Sequence, residues 1–371
     1  MTSNGSPIAV SPPRQLTGLS GGRQQDGFWR EHEDWLREKG YKLHLPLENG
    51  HSPPSSPRLG RRRSERAAQT NGTTHEDAIP ATRLSDGRAV VLRKVPGHAD
   101  APRLAAQQYL ATWPLVSHPK NHAVPLLDAL DVPQPHGRTR VLVVPAMQRA
   151  AAPGLQTVGE ALDFLGQVLE GLQFMHGCNI AHRHCADLRV MADPDPLFPH
   201  TRRRSAHARQ ASESTSTGST SARSTLRPVR YYLADGGEHK YEHGSRFRRA
   251  ASALSVRSAA ATVGIDDPYA TDVRDLGDAI GRTFLDKLDG LDFLEPLIEE
   301  MTQQSPAARP DIDMVVLKFR KLQRKLHWWT LRARLVPKDE HGLLRFRHDT
   351  THFFRTLGYI IIRRPAIPSF G

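Results

Sequence analysis

The side chains best suited to chemistry are concentrated between residues 182 and 189 of this 371-residue chain. The segment reads, in order, His182, Arg183, His184, Cys185, Ala186, Asp187, Leu188 and Arg189. Imidazole is the commonest general base in enzymes, so His184 has the chemistry to accept a proton. Arg189 carries a permanent cation of the kind that pairs with phosphate. The pattern indicates acid-base or phosphate chemistry.

Zinc binding is a second interpretation of the same region. Five nitrogen and sulfur ligands lie close together in the sequence: His176, Cys178, His182, His184 and Cys185. Their spacing fits no standard paired cysteine and histidine arrangement for zinc. The sequence therefore does not favour a zinc site.

The elements that must position this segment begin with strands and one helix. Ser85-Asp86-Gly87 is a strong hairpin turn, with a strand ending before it and a second strand over 89–92. A helix is predicted from about Arg103 to Trp113, and the apolar run 141–145 predicts a further strand. Strands therefore dominate the part of the fold that precedes residue 150.

The second half of the sequence is predicted to be mainly helical. Apolar residues recur every three or four positions from Thr157 to Met175, which predicts a helix with a buried face that ends just before His182. Residues 231–234 predict a strand, and helices resume near Thr271. A long basic amphipathic helix is predicted from about Asp313 to Leu335, with core packing favoured over membrane or partner binding.

Four sequence motifs occur in a fixed order along this second half. They are residues 170–176 leading to Ile180-Ala181-His182-Arg183, residues 229–237, residues 272–277 and residues 305–310. They resemble, in the same order, four protein kinase motifs: the catalytic loop with its preceding helix, the strand before Asp-Phe-Gly, the start of the F helix and the late Arg-Pro. With the N-terminal tryptophan helix and residues 121–128, the chain is similar to a divergent fungal branch of kinase-like proteins.

The resemblance covers about residues 76–335 and implies an α+β, two-lobed protein-kinase-like fold. A small β-rich N-lobe is expected near 76–145 and a larger helical C-lobe from about 150 to 335, with a disordered insert near 201–227. Residues 1–75 are expected to be a disordered tail and linker with a short helix near 28–40. Residues 336–371 are expected to be a C-terminal extension.

Two residues of the loop depart from the kinase pattern. His184 stands where the resemblance implies the catalytic Asp, and Arg189 stands where it implies the metal-binding Asn. The guanidinium cation of Arg189, placed about 4 Å from a magnesium site, would repel the metal by roughly 4 kcal/mol per unit charge pair at an effective dielectric of about 20. Asp187 is a candidate replacement base, although a solvated loop carboxylate is the favoured interpretation.

The nucleotide site implied by the resemblance is also degenerate. Arg93, followed by Lys94, stands at the position of the phosphate-anchoring lysine, and an arginine lacks the compact ammonium. The helix expected to supply the paired Glu, near Ala105, has no acidic residue from 101 to 112. No glycine-rich phosphate loop precedes Gly87. Asp235 is the one metal ligand that the motif retains.

Four further positions match the pattern in roles that shape the fold. The resemblance implies structural roles for His182, Arg183, Asp272 and Arg309. In kinases the residue at the Arg309 position pairs with a Glu at the end of the activation segment. No Ala-Pro-Glu occurs between Asp235 and Asp272, so the partner of Arg309 stays open.

Composition bounds the compartment and the partners. The two cysteines give no disulfide framework, and no signal peptide or membrane span is recognised, so an intracellular protein of the cytoplasm or nucleus is expected. The net charge of +12 permits contact with nucleic acid, anionic lipid or acidic proteins. No aromatic residues interleave with the basic inserts, so nucleic acid is not favoured. Arg61-Arg62-Arg63-Ser64 and Arg202-Arg203-Arg204-Ser205 have the form of phosphorylation sites, with solvated arginine runs favoured.

The expected function is that of a catalytically impaired pseudokinase acting as a scaffold or allosteric partner of other proteins. The first alternative is a weakly active ATP-dependent serine/threonine kinase that uses Arg93, His184 and Asp235. ATP and Mg²⁺ are expected cofactors only in that case. A further hypothesis is that Arg189 neutralises a phosphate and allows metal-free nucleotide binding. The second alternative is a basic tether for nucleic acid or a membrane surface.

Overall fold

A computed structural model of the chain describes residues 27–45, 77–96, 101–133, 139–150, 155–193, 228–234 and 267–368. Several sequence predictions fall outside these ranges. They concern the tail before residue 27, both arginine-serine inserts and the Asp235-Gly236-Gly237 motif.

The protein combines helices with antiparallel sheets. The strands are β1 (Tyr41–Leu43), β2 (Ala78–Arg83), β3 (Ala89–Pro96), β4 (Asp128–Asp131), β5 (Thr139–Pro145), β6 (Gln148–Arg149), β7 (Val190–Ala192), β8 (Tyr231–Leu233), β9 (Leu288–Asp289) and β10 (Val336–Pro337). The helices are α1 (Glu33–Glu38), α2 (Ala101–Leu110), α3 (Val158–Gly177), α4 (Pro268–Ile280), α5 (Glu295–Met301), α6 (Ile312–Lys325), α7 (Trp328–Arg332) and α8 (Gly342–Ile361).

The largest sheet has the strand order β1-β2-β3-β5-β4, and every neighbouring pair is antiparallel. The register pairs Leu92 of the central strand with Ile79 on one side and Val143 on the other. These side chains are buried in one cluster with Trp29 and Leu36 from the N-terminal helical region. The tryptophan-containing segment therefore covers one face of the sheet, which explains its apolar pattern.

The hairpin between β2 and β3 confirms the predicted turn. Arg83 Nε donates to Asp86 Oδ1 at 3.0 Å, and the same oxygen accepts the Arg88 N–H at 3.1 Å. Gly87 follows with φ of 68°, a left-handed conformation that glycine adopts without a steric penalty. The observed α2, α3 and β8 likewise confirm the predicted elements at 103–113, 157–175 and 231–234, with shifts at their ends.

The second hydrophobic cluster is built around α3. This helix begins at the N-cap Thr157, whose hydroxyl accepts the Glu160 N–H at 3.1 Å. Its apolar stripe packs in one cluster with Leu276 of α4 and Phe319 of α6. Because α4 and the loop at 182–189 both adjoin α3, this cluster is the support on which the candidate site is built.

The prediction of one long helix from Asp313 to Leu335 is wrong in the length of that helix, because two helices, α6 and α7, cover these residues. The chain becomes extended at Leu326, with ψ of 132°, and the ring of His327 caps the new short helix α7 by accepting the Trp329 N–H. The break lets α7 lie against α3, with Leu331 packed on the main core. Core packing is confirmed for Val315 and its neighbours in α6, but Trp329 is exposed.

Residues after 335, expected only as an extension, contain the 20-residue helix α8. Its C-terminal end is tied to the body, since an Arg332 side-chain N–H donates to the Arg364 carbonyl. Within the described ranges, no helix has both the length and the apolar character needed to cross a membrane.

Candidate functional site

Asp272 is the buried anchor of the segment at 182–189. Its side chain is 0 % exposed, in the second turn of α4. Oδ2 accepts the backbone N–H of His182 at 2.7 Å, and Oδ1 accepts that of Arg183 at 2.6 Å. His176 Nε2 lies 3.0 Å from Oδ2. A buried carboxylate needs such partners because desolvation without them is costly, so this aspartate fixes the path of the loop.

The loop has an irregular backbone that these hydrogen bonds hold in place. Arg183 has φ of 64° and Leu188 has φ of 42°, and both values lie in the left-handed region that non-glycine residues rarely adopt. Between them Cys185–Asp187 form one turn of 3₁₀ helix. Strained conformations of this kind persist where the surrounding contacts determine them, and they concentrate at functional sites.

The two residues that depart from the kinase pattern lie at opposite ends of that turn. His184 immediately precedes it, with φ of −136° and ψ of 37°, and its side chain is half-buried. Arg189 is also half-buried, and its carbonyl accepts the Ala234 N–H at 2.9 Å. This bond ties the end of the loop to the end of β8. Asp235 follows Ala234 in sequence but lies outside the described residues.

The strand β8 is fixed by side chains from two other segments. Gln167 of α3 donates to the Val229 carbonyl at 3.0 Å and accepts the Tyr231 N–H at 3.0 Å. His122 Nδ1 lies 2.7 Å from the Tyr231 carbonyl, and the His122 carbonyl accepts the Leu233 N–H at 2.7 Å. Burial lowers the pKa of His122, so its neutral form is favoured, with Nδ1–H as the donor to this carbonyl.

Glycine at position 171 allows this close packing. A Cβ added to Gly171 would lie 2.7 Å from the Cβ of His122 and 3.2 Å from Leu233. The segment after α2, the strand β8 and α3 therefore meet at one point. Neither His122 nor Gln167 was picked out as a site residue from the sequence, since their partners lie 109 and at least 62 positions away.

Arg93 and Lys94 are directed to opposite faces of the large sheet, because side chains alternate along a strand. Arg93 shares the face of Val95, which packs against Leu104 of α2. Lys94 lies on the other face, where its Nζ is 4.5 Å from the ring centroid of Phe28. Of the three predicted nucleotide-binding residues, Arg93 is on the side of α2, Lys94 is on the other face, and Asp235 lies outside the described residues.

Arg309 binds backbone carbonyls. Its guanidinium donates to Gln303 at 2.6 Å, Gln304 at 2.8 Å and Ala270 at 3.2 Å. Ala270 belongs to α4, two residues before Asp272. Among the described residues, three carbonyl groups are the partners of Arg309, which links residues 303 and 304 to the helix that carries Asp272.

Three of the five candidate zinc ligands, His176, His182 and Cys185, contact Asp272 or one another. Cys185 Sγ lies 3.5 Å from His182 Nδ1 and 3.9 Å from Asp272 Oδ1. Burial, with the nearby Asp272 carboxylate, raises the pKa of the Cys185 thiol well above its usual value. Across the described ranges, no three His, Cys, Asp or Glu side chains are grouped so as to hold a metal ion.

A cleft of about 310 Å³ opens beside the strand β8. It is lined by the end of α2, by residues 116–126 and by Arg230 and Tyr232 at β8. The Arg230 guanidinium is held by the carbonyls of Pro119 at 2.7 Å and Asn121 at 3.1 Å. The cleft therefore joins the helix beside the large sheet to the strand that leads towards Asp235.

No protein-family model and no curated protein matches the chain.

Proposed function

We propose that this protein has a two-lobed protein-kinase-like fold and acts as a catalytically impaired scaffold or allosteric partner. The observation that carries the proposal is the paired acceptance of the His182 and Arg183 N–H groups by the buried Asp272. The support of the loop is thus retained at 2.6–2.7 Å, whereas His184 and Arg189 replace the acid and the amide that phosphoryl transfer uses.

The division of the fold supports the same proposal. A curled antiparallel sheet with α2 at its side precedes a helical part centred on α3, and each has its own main hydrophobic cluster. The motif resemblances fall at corresponding places: the loop after α3, the strand β8, the start of α4 and the turn before α6. Agreement between motif order and element order favours the kinase-like interpretation over an unrelated α+β fold.

The substitutions relative to the kinase motifs affect separate chemical roles. The face of the sheet beside α2 presents Arg93 in place of a lysine, and the first turn of α2 has no acidic residue to pair with it. Arg189 brings a cation to the position where a metal would need an oxygen ligand. The described residues do not fit a magnesium nucleotide, so we assign no chemical step to ATP or Mg²⁺.

An allosteric role is consistent with the cleft beside β8. One partner side chain inserted there would contact α2, the 116–126 segment and β8 together. A cleft lined by three separate elements allows binding energy to shift their relative packing. We therefore place protein partners, rather than a nucleotide, at the centre of the function.

A thermal-shift titration with ATP, with and without Mg²⁺, tests the proposal. We expect no shift of the Tm in either condition, because the nucleotide site lacks its usual residues. Binding would be detectable, since ligand at about 100 times its Kd would stabilise the native state by about 2.7 kcal/mol and raise the Tm by several degrees. A shift that requires Mg²⁺ would contradict the proposal and favour a residual kinase. A shift without Mg²⁺ that is lost in Arg189→Gln would instead support the metal-free nucleotide site.

A further inference from the structure

The helix α8 presents an apolar stripe to solvent on the side opposite the protein. Five large side chains of this helix are exposed: Phe346 (75 %), Phe353 (64 %), Phe354 (65 %), Leu357 (45 %) and Ile361 (72 %). At 3.6 residues per turn they fall within an arc of roughly 100°. Isolated exposed apolar residues are ordinary on protein surfaces, but a contiguous stripe marks an interaction surface.

The inward face of α8 is identified by its contacts. Thr356 and Tyr359 line a narrow gap together with Thr157, Arg332 and Ala366. On the helical wheel this face lies on the opposite side from Phe354 and Ile361. The helix is therefore fastened through its more polar side, and the apolar stripe is left outside the protein's own core.

The charges around the stripe are strongly basic. Residues 342–364 contain five arginines and a single aspartate, Asp349. Arg334 from the body of the protein donates to that aspartate at 2.7 Å, so the one acidic group is already compensated internally. Arg347 and Arg363 are exposed and have no ion pair with any described residue, so the flank and the C-terminal end of the helix are positively charged.

Exposed aromatic residues also lie near the C-terminal end of α8. Trp328 and Trp329 of α7 are both exposed, and their rings stack at 3.9 Å. The Arg332 guanidinium lies 6.0 Å from the Trp328 ring and also donates to the Arg364 carbonyl. The tryptophan pair thus adjoins the C-terminal end of α8. Tryptophan and arginine together are typical of the polar-apolar boundary of a bilayer.

We propose that α8 and the tryptophan pair bind peripherally to an anionic lipid bilayer surface, with the phenylalanine side chains inserted among the lipids. A second copy of the chain is a poorer occupant, since two basic helices would repel each other. The stripe is convex, so a protein partner would need to supply a groove around it, whereas a bilayer accepts a convex helix directly. A helix of this type lies in the interface and does not cross it.

Vesicle co-sedimentation of the full chain tests the proposal. We expect binding to vesicles of phosphatidylcholine mixed with phosphatidylserine, weaker binding to phosphatidylcholine alone, and loss of the difference at high salt. Phe353→Ser with Phe354→Ser should weaken binding by roughly a hundredfold, because each inserted phenylalanine contributes about a decade of affinity. Arg347→Gln with Arg363→Gln should reduce the preference for phosphatidylserine by several-fold while keeping the weaker binding.

The matched control is Leu317→Ser on α6. Leu317 is 59 % exposed, so the change removes a similar apolar surface away from α8, and vesicle binding should not change. Equal binding by the double phenylalanine variant, or no binding by the wild-type chain, would overturn the proposal. Size-exclusion chromatography of both proteins would also overturn it if the wild type were a dimer that the phenylalanine changes convert to a monomer.

Discussion

Replacement of Asp272 by asparagine gives the sharpest test of how the loop is held. The carboxylate accepts two backbone N–H groups at 2.6 and 2.7 Å, and hydrogen bonds to a charged group are worth about 1.5–3 kcal/mol each. Asparagine keeps one acceptor oxygen and turns an N–H donor towards the other backbone N–H. We therefore expect the free energy of unfolding to fall by about 3–5 kcal/mol.

Urea unfolding of Asp272→Asn and of a matched variant, Asp278→Asn, measures the effect. Asp278 is on the same helix, but its side chain is 45 % exposed and pairs with the exposed Arg274. Its replacement should change the stability by less than about 0.5 kcal/mol. The loosened loop should also make Cys185 reactive under native conditions. A loss below about 1 kcal/mol for Asp272→Asn would refute the anchoring role.

Three further outcomes follow from the packing around α3 and the loop. Burial raises the pKa of Asp163 to about 7. The contribution of Asp163 to the free energy of unfolding should therefore be most favourable below about pH 4 and fall by up to about 4 kcal/mol as the pH rises to about 7. Asp163→Asn should remove most of that slope in urea unfolding at several pH values, and an unchanged slope would contradict the assignment. In thiol titration with Ellman's reagent Cys178, which is partly exposed, should react first and Cys185 only on unfolding; equal rates would contradict the buried environment. A Cβ at Gly159 would lie 2.1 Å from the Ala366 carbonyl oxygen, so Gly159→Ala should release the C-terminal segment to proteolysis, and wild-type resistance would count against this contact.

The sequence is most informative where structure depends on local pattern. The Asp-Gly turn at 86–87 and the apolar period of α3 both specify their elements within a few residues. The break at Leu326 has no glycine or proline to signal it, because it depends on how α7 packs against α3. The helix α8 was not predicted, although its apolar residues recur at helical spacing in the sequence.

The candidate site was predictable in part. The spacing of His182, Arg183 and Asp272 within recognisable motifs indicated structural roles, and the three lie together. The carbonyl partners of Arg309 could not be inferred, since a backbone carbonyl leaves no mark in the sequence. The same applies to His122, whose partner is the backbone of β8.

Phosphoryl transfer from radiolabelled ATP tests the central claim most directly. The wild-type protein and Asp235→Ala should be assayed in parallel with a general protein substrate and with Mg²⁺. A kinase-like scaffold that lacks the catalytic groups predicts no incorporation above background in either protein. Incorporation by the wild type that Asp235→Ala abolishes would show that the remaining residues support catalysis, and it would contradict the account.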